Sequence, residues 1–362
     1  MMGTGSDMTV DLINGTPFSA ESFVMFDLNG QEILLTVLVA VFNSVSDGKL
    51  TLAEEQRPVR VADVYSGKPG FSSIRYEAEL ALAKPRVDVL LNGHAYAPNG
   101  APTRSMTVEL VVGTMRKQLI VHGDRSRLTG LMASSPHPFE KMPIIYERAY
   151  GGMREKPDPC CDPRNLVGIG FHGVASSSSA VKSDYPNVVY PGNENVPAGF
   201  GVVARGWKPR IDYAGTFDKA WLAAQAPLLP LDFNPRHYQC APEDQQLPLI
   251  EGGETVVVRN MTPQGIWAFR IPKLDVPVLL LYQDRTAPAG LRVDTVLIEP
   301  DDRRVTLTAR MQVPLPRGPG ALREVALGHM KKTWLRAREA RKLYIDRTSD
   351  QGADMRRSCF NL

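Results

Sequence analysis

FVMFDLNGQEILLTVLVAVFNSVSDGKLTL, residues 23–52, sets strand-forming runs between the dipeptides Asn29-Gly30 and Asp47-Gly48. Both dipeptides supply the positive φ angles that two-residue hairpins require, so the stretch predicts a three-stranded antiparallel meander. Its longest apolar run, Ile33 to Phe42, is interrupted by Thr36 and is far too short to span a bilayer. Outward from this meander, strands are predicted at Ile74–Leu80 and Val87–Leu91, then at Met106–Val112 and Gln118–Gly123 around Gly113-Thr114-Met115. Val108, Leu110 and Val112, then Leu119 and Val121, repeat with a period of two, the mark of a sheet with one wet face. The amino-terminal third therefore reads as antiparallel β.

Composition narrows the class. The chain has 362 residues, 43% of them hydrophobic, a net charge of only +3, and 59 prolines and glycines without any period. That is a loop-rich globular protein with a real core, too evenly charged to point to nucleic acid. The start, MMGTGSDMTVDLING, lacks a basic region followed by an apolar core, which predicts no secretory signal. Four cysteines, with Cys160 and Cys161 adjacent, make no disulfide framework, and a cytoplasmic location is expected.

The middle has another texture. Residues 136–253 read as an irregular insertion with one strand near Pro143–Ala149, a flexible serine run at Ser176–Ser179 and a short helix over Asp218–Ala226 stopped by Pro227. Residues 227–254, PLLPLDFNPRHYQCAPEDQQLPLIEGGE, carry five prolines and so predict a belt that winds across a surface. Leu228, Leu229, Leu231, Phe233, Tyr238 and Leu247 would dock it, and Asp244, Gln245 and Gln246 are suited to bond its backbone. Strands return at Thr255–Arg259, Ile266–Arg270, Val276–Tyr282, Val293–Glu299 and Val305–Gln312. Residues 321–345 predict the one long helix, with Val325, Met330, Trp334, Ala337 and Tyr344 on one face; over 321–347 there are eight basic and three acidic residues. Such a helix either docks by its apolar stripe or offers a basic face to a membrane or an acidic partner.

The chemistry-bearing patterns are weak. Gly168-Ile169-Gly170-Phe171-His172-Gly173 fits G-x-G-x-x-G, but neither a preceding strand nor a following helix frames it, and turn glycines explain it. Cys160, Cys161, His172, His237 and Cys240 lack the spacing of a metal site. There is no nucleophile elbow and no H-E-x-x-H. Asp124 and Glu147, each beside an arginine, read as structural charges at strand ends, and Tyr146-Glu147-Arg148-Ala149-Tyr150-Gly151-Gly152 as a strand leaving its sheet through a bulge or tight turn.

Several short motifs in fixed order form a pattern: Gln56-Arg57-Pro58, Lys84-Pro85-Arg86-Val87-Asp88, Gly93-His94-Ala95-Tyr96-Ala97-Pro98, Val121-His122-Gly123-Asp124-Arg125, the Tyr146–Gly152 stretch, and Asn165-Leu166-Val167-Gly168 with Gly170-Phe171. It continues with Gly199-Phe200-Gly201, Gly215-Thr216-Phe217-Asp218, Trp221, Pro227–Pro230, Ala241–Gln246 and Asp294–Pro300. Over roughly residues 14–315 the chain resembles a bacterial family catalogued as a domain of unknown function and typically encoded beside type VI secretion effectors. The resemblance leaves out the basic helix and tail, and the Cys160-Cys161 pair is not part of it.

The resemblance implies an adaptor or chaperone that holds a secreted effector and loads it onto a spike or spike-tip protein. It brings no catalytic residue, metal or cofactor. The expectation is a mainly β protein, a sandwich or split barrel, with residues 1–317 as one composite body and 318–362 as helix and tail. Partner contact is expected from Tyr146, Tyr150, Phe171, Phe200, Trp221, Phe233, Tyr238 and Trp334. The alternative is a hydrolase-like enzyme with a site near Asp124, Glu147, His172 and His237.

Overall fold

A computed structural model of the chain describes residues 10–45, 48–128, 132–155, 158–174, 181–315, 321–340, 342 and 344. Asp47 of the second hairpin signal, the serine run 176–179 and the tail beyond 344 lie outside the described residues. Among the described residues the fold is mainly β, with three larger sheets, several two-stranded pairings and no closed barrel.

The largest sheet runs Gln246–Leu247, Val87–Leu91, Arg292–Glu299, Arg304–Pro314, Glu32–Ser44, Ser19–Phe26, with Leu50–Leu52 beside the end of Glu32–Ser44. Val87–Leu91 and Arg292–Glu299 are parallel, and the other pairs are antiparallel. A second sheet runs Val188–Val189, Met115–His122, Ser105–Val112, Thr255–Arg259, Ile266–Arg270; a third runs Asp11–Asn14, Leu322–Leu327, Val278–Tyr282, Thr286–Ala289. Inward side chains of all three meet in one core, among them Leu38, Val89, Leu110, Leu119, Val258, Ile298, Leu307 and Val325.

Glu32–Ser44 explains the apolar run that opened the sequence reading. Leu34, Leu38 and Ala40 point into that core, while Leu35, Val37, Val39 and Val41 are buried under Ala53 and Val59 on the other face. A strand covered on both sides has no wet face, so alternation is lost. Thr36, in the middle of the run, shares a 3.0 Å hydrogen bond with Ser22 of the neighbouring strand.

Three expectations need correction. Ile74–Leu80 is a strand only over Ile74–Tyr76, because the chain then turns to deliver Glu77 and Glu79 to Arg210 and Arg57. Lys141–Pro143 is a strand, but Tyr146–Arg148 is a 3-10 turn that sends Glu147 to Ser73 and Arg148 to Asp124. Residues 321–345 do not form one helix: Leu322–Leu327 is a strand between Val278–Tyr282 and Asp11–Asn14, and only Lys332–Glu339 is helical. Leu322, Val325 and Leu327 bury themselves in the main core, which outweighs helix propensity. Trp334 still packs with Met330 and Tyr344, over Leu281 and Ala326. Among the described residues, no helix is long and apolar enough to cross a membrane.

Candidate partner-binding surface

The proline-rich belt is held by buried charge. Asp88, fully buried on Val87–Leu91, accepts hydrogen bonds from Lys84 Nζ (2.7 Å), Gln239 Nε2 (2.7 Å), Cys240 N (2.9 Å) and Ala241 N (3.2 Å). Gln245, also fully buried, donates to the carbonyls of Val89 and Phe200, and Lys117 Nζ reaches Asp244 (2.9 Å) and Gln245 (2.8 Å). Pro235–Tyr238 and Glu243–Gln245 are 3-10 turns, and Gln246–Leu247 closes one edge of the largest sheet. The belt is therefore docked and caps an edge, and side chains satisfy backbone groups that no ladder could.

This network sets a pH dependence. Burial alone would raise the Asp88 carboxyl, but Lys84 and the belt donors hold it below the ordinary carboxylate range; Arg57 does the same for Glu79, and Arg304 for Glu299. Carboxyls depressed in the folded chain contribute stability above their unfolded values near ~4, and lose it as pH falls through the folded ones. The urea midpoint is expected to hold from about pH 7 to 5 and to drop steeply below about 4; a midpoint unchanged at pH 3 would contradict the assignment. Burial pulls the Lys117 ammonium down to about 8 against the attraction of Asp244. The unfolded chain binds the extra proton between there and ~10.4, so this group makes stability rise with pH across that window.

The aromatic residues expected to meet a partner divide into two sets. Tyr146, Phe200, Phe233 and Trp334 are buried, with Tyr146 edge-on to Trp207 at 5.4 Å. Tyr150, Phe171, Trp221 and Tyr238 are half-buried; Tyr150 meets Phe171 edge-on at 6.4 Å, and Tyr238 lies 5.2 Å from Phe233. The four residues of the hydrolase alternative are not brought together. Asp124 takes hydrogen bonds from Arg148 and Asn187, Glu147 from Ser73, His237 Nδ1 meets the Arg210 carbonyl at 2.9 Å, and His172 stacks on Phe171. Cys160 and Cys161 pair with Met153–Arg154, Cys240 is buried against Asp88, and no cluster of His, Cys, Asp or Glu suited to a metal occurs among the described residues.

Trp221 leads to the surface that stands out. The short helix Lys219–Ala224 begins at Asp218, whose carboxylate accepts from Trp221 N, and none of its residues is buried. Phe217 packs on Trp221 at 4.8 Å and is 55% exposed; Leu222 is 67% and Leu231 74% exposed. The turn after the helix is tied to the turn after Ser19–Phe26, through Gln225 Nε2 to the Leu28 carbonyl at 2.8 Å. Ser19–Phe26 is itself the outermost strand of the largest sheet, and Val24 and Phe26 are each 53% exposed. Asp27 N bonds Gln31 O, so by alternation Met25, Phe23 and Glu21 bond inward to Glu32–Ser44. Ala20, Ser22, Val24 and Phe26 then turn their N–H and C=O groups outward. Among the described residues, one end of the sheet thus presents an open backbone edge beside exposed aromatic and aliphatic side chains, a combination with the physical character of a docking site. Sequence reasoning reached Trp221, took Leu231 for an anchor of the belt although it is 74% exposed, and missed Leu222 and the openness of the edge strand, for which the chain carries no local signal.

No curated protein and no solved structure matches this chain. A family model described as an uncharacterized protein conserved in bacteria, DUF2169, matches residues 29–310, most of the sheet body and the whole belt. The chain therefore belongs to the DUF2169 family of bacterial proteins.

Proposed function

We propose that this protein is a cytoplasmic adaptor for type VI secretion that grips a secreted effector and helps load it onto the secretion spike, and that it transforms no small molecule. The observation that carries this reading is the open edge of Ser19–Phe26 beside the exposed group Phe217, Leu222 and Leu231. Unpaired strand edges bind extended peptides through main-chain hydrogen bonds, and neighbouring apolar side chains supply affinity. The ordered run of family-like motifs points to the same role. A belt fixed by Asp88, Gln245 and Lys117 suits it, because a preformed surface spends little conformational entropy on binding.

The test is co-expression with the products of the neighbouring effector and spike genes. Copurification is expected for the wild type. Leu222→Asp with Leu231→Asp, and separately Val24→Pro, should weaken it by roughly 30-fold or more, the effect of losing a binding hot spot of ~2 kcal/mol. All three positions are exposed and the Val24 N–H faces away from the sheet, so melting temperatures should stay close to wild type. Failure of the wild type to copurify, or full binding by both variants, removes the reading.

A further inference from the structure

A cavity of about 220 Å³ opens where Asn92-Gly93-His94, Ile144-Ile145-Tyr146 and Asp301 converge. It lies at the carboxyl ends of the two adjacent parallel strands, Val87–Leu91 and Arg292–Glu299, which deliver His94 and Asp301 just beyond their last residues. The walls are fixed: Leu91 N bonds Phe200 O, Asn92 N bonds Ile298 O, and Ile144 N bonds Gly93 O, all at 3.0–3.1 Å. We propose that this cavity is a socket for one tryptophan or tyrosine side chain of the bound partner.

Three observations select that occupant. The volume is below the roughly 300–1,000 Å³ of small-molecule sites and is of the size of one large side chain. The walls are largely apolar, with Ile74, Ile144, Ile145 and Val202 beside the Tyr146 ring, which suits a flat hydrophobic body. The polar groups on offer include acceptors beside the Arg75 guanidinium. His94 Nδ1 lies 2.7 Å from Asp301 Oδ2, and the other carboxylate oxygen takes the Tyr96 hydroxyl. In the neutral ring that bond places the proton on Nδ1 and leaves Nε2 a lone pair, and nothing among the described residues bonds it. Asn92 gives one amide N–H to the Arg75 carbonyl, and its Oδ1 is a second acceptor. An occupant that brings a donor satisfies these acceptors, and an aromatic face suits the Arg75 guanidinium. Lysine and arginine are disfavoured by Arg75 in the wall and by Lys141, 3.6 Å from Asp301. A carboxylate could pair with Arg75 but would face the Asp301 carboxylate and two lone pairs. An indole N–H or a phenol O–H on an aromatic ring meets every condition, and these are the residues most often found as interface hot spots.

The inference rests on the adaptor reading, but its test does not. N-acetyl-tyrosinamide and N-acetyl-phenylalaninamide are titrated into the uniformly 15N-labelled full-length protein, with the His94 ring signals and the backbone amides of Gly93 and Ile144 followed by NMR, the amides alone in the His94 variants. The tyrosine amide is expected to shift the His94 resonances and to bind about tenfold more tightly than the phenylalanine amide, the ~1.4 kcal/mol of one hydrogen bond. His94→Ala and His94→Phe, each checked for an unchanged melting transition, should abolish the preference, whereas Leu222→Asp should leave it intact. Equal affinity of the two amides, no shift at His94, or a preference that survives both His94 variants overturns the socket. Loss of effector copurification with a working socket would count against the adaptor alone.

Discussion

Asp88→Ala is expected to destabilise the protein by about 3–5 kcal/mol, the cost of breaking a fully buried ion pair from one side. The carboxylate is 0% exposed and is the main partner of Lys84, whose ammonium keeps only Thr295 Oγ at 3.0 Å and the Cys240 sulfur at 3.4 Å once the acid is gone. The same substitution strands Gln239 Nε2 and the backbone N–H groups of Cys240 and Ala241, which have no water to turn to. Lys84→Met/Asp88→Asn should recover part of the loss suffered by Asp88→Asn alone, because the uncompensated charge has left with the lysine. The readout is urea denaturation at constant slope, together with limited proteolysis, where Asp88→Ala should become cleavable across 235–247. A loss below about 1 kcal/mol would show that the belt is held by its apolar contacts instead.

That latch was half legible in the sequence. Lys84 and Asp88 sit in one motif and Ala241–Gln246 in another, 153 positions apart for the Ala241–Asp88 bond, and nothing in either stretch names the other as partner. The belt itself was predictable, since prolines forbid ladders and glutamines are ready substitutes for them. The antiparallel body was legible wherever one face is wet, as at Ser105–Val112 and Met115–His122. Local patterns failed where a distant neighbour decides. Leu322–Leu327 carries helix-forming residues and becomes a strand because Val278–Tyr282 and Asp11–Asn14 flank it. Phe200 and Phe233 look like contact residues, yet both are buried, and His94 and Asp301 meet only because their parent strands are parallel neighbours. The aromatic content of a motif does not distinguish a surface from an interior; the position of its strand does.

Gly151→Ala is expected to destabilise the protein by about 2–5 kcal/mol, and the reason also accounts for the glycine pattern that resembles a nucleotide-binding loop. Gly151 has φ +145°, where an L side chain is strained by roughly 1–2 kcal/mol, and its new Cβ would stand 2.3 Å from the Asn165 carbonyl oxygen. That oxygen cannot move, because it accepts from Gly152 N at 2.8 Å, while the fully buried Asn165 side chain donates to the carbonyls of Tyr146 at 2.8 Å and Tyr150 at 3.0 Å. Gly168 lies on the other side of the same knot, where a Cβ would be 2.6 Å from the Ala149 carbonyl oxygen. Residues 146–152 and 165–170 are thus two strands of chain pressed together with backbone where side chains would normally stand, and the spacing of the glycines records that approach. Gly70→Ala is the control: its φ is +81° and nothing lies within 4 Å of the new Cβ, so only the conformational penalty of about 1 kcal/mol remains. Asn165→Ala should cost about 1–3 kcal/mol, because the Tyr150 carbonyl loses the Asn165 donor while the Tyr146 carbonyl keeps Ala149 N at 3.1 Å. If Gly151→Ala and Gly70→Ala shift the denaturation midpoint equally, close packing is not what these glycines serve.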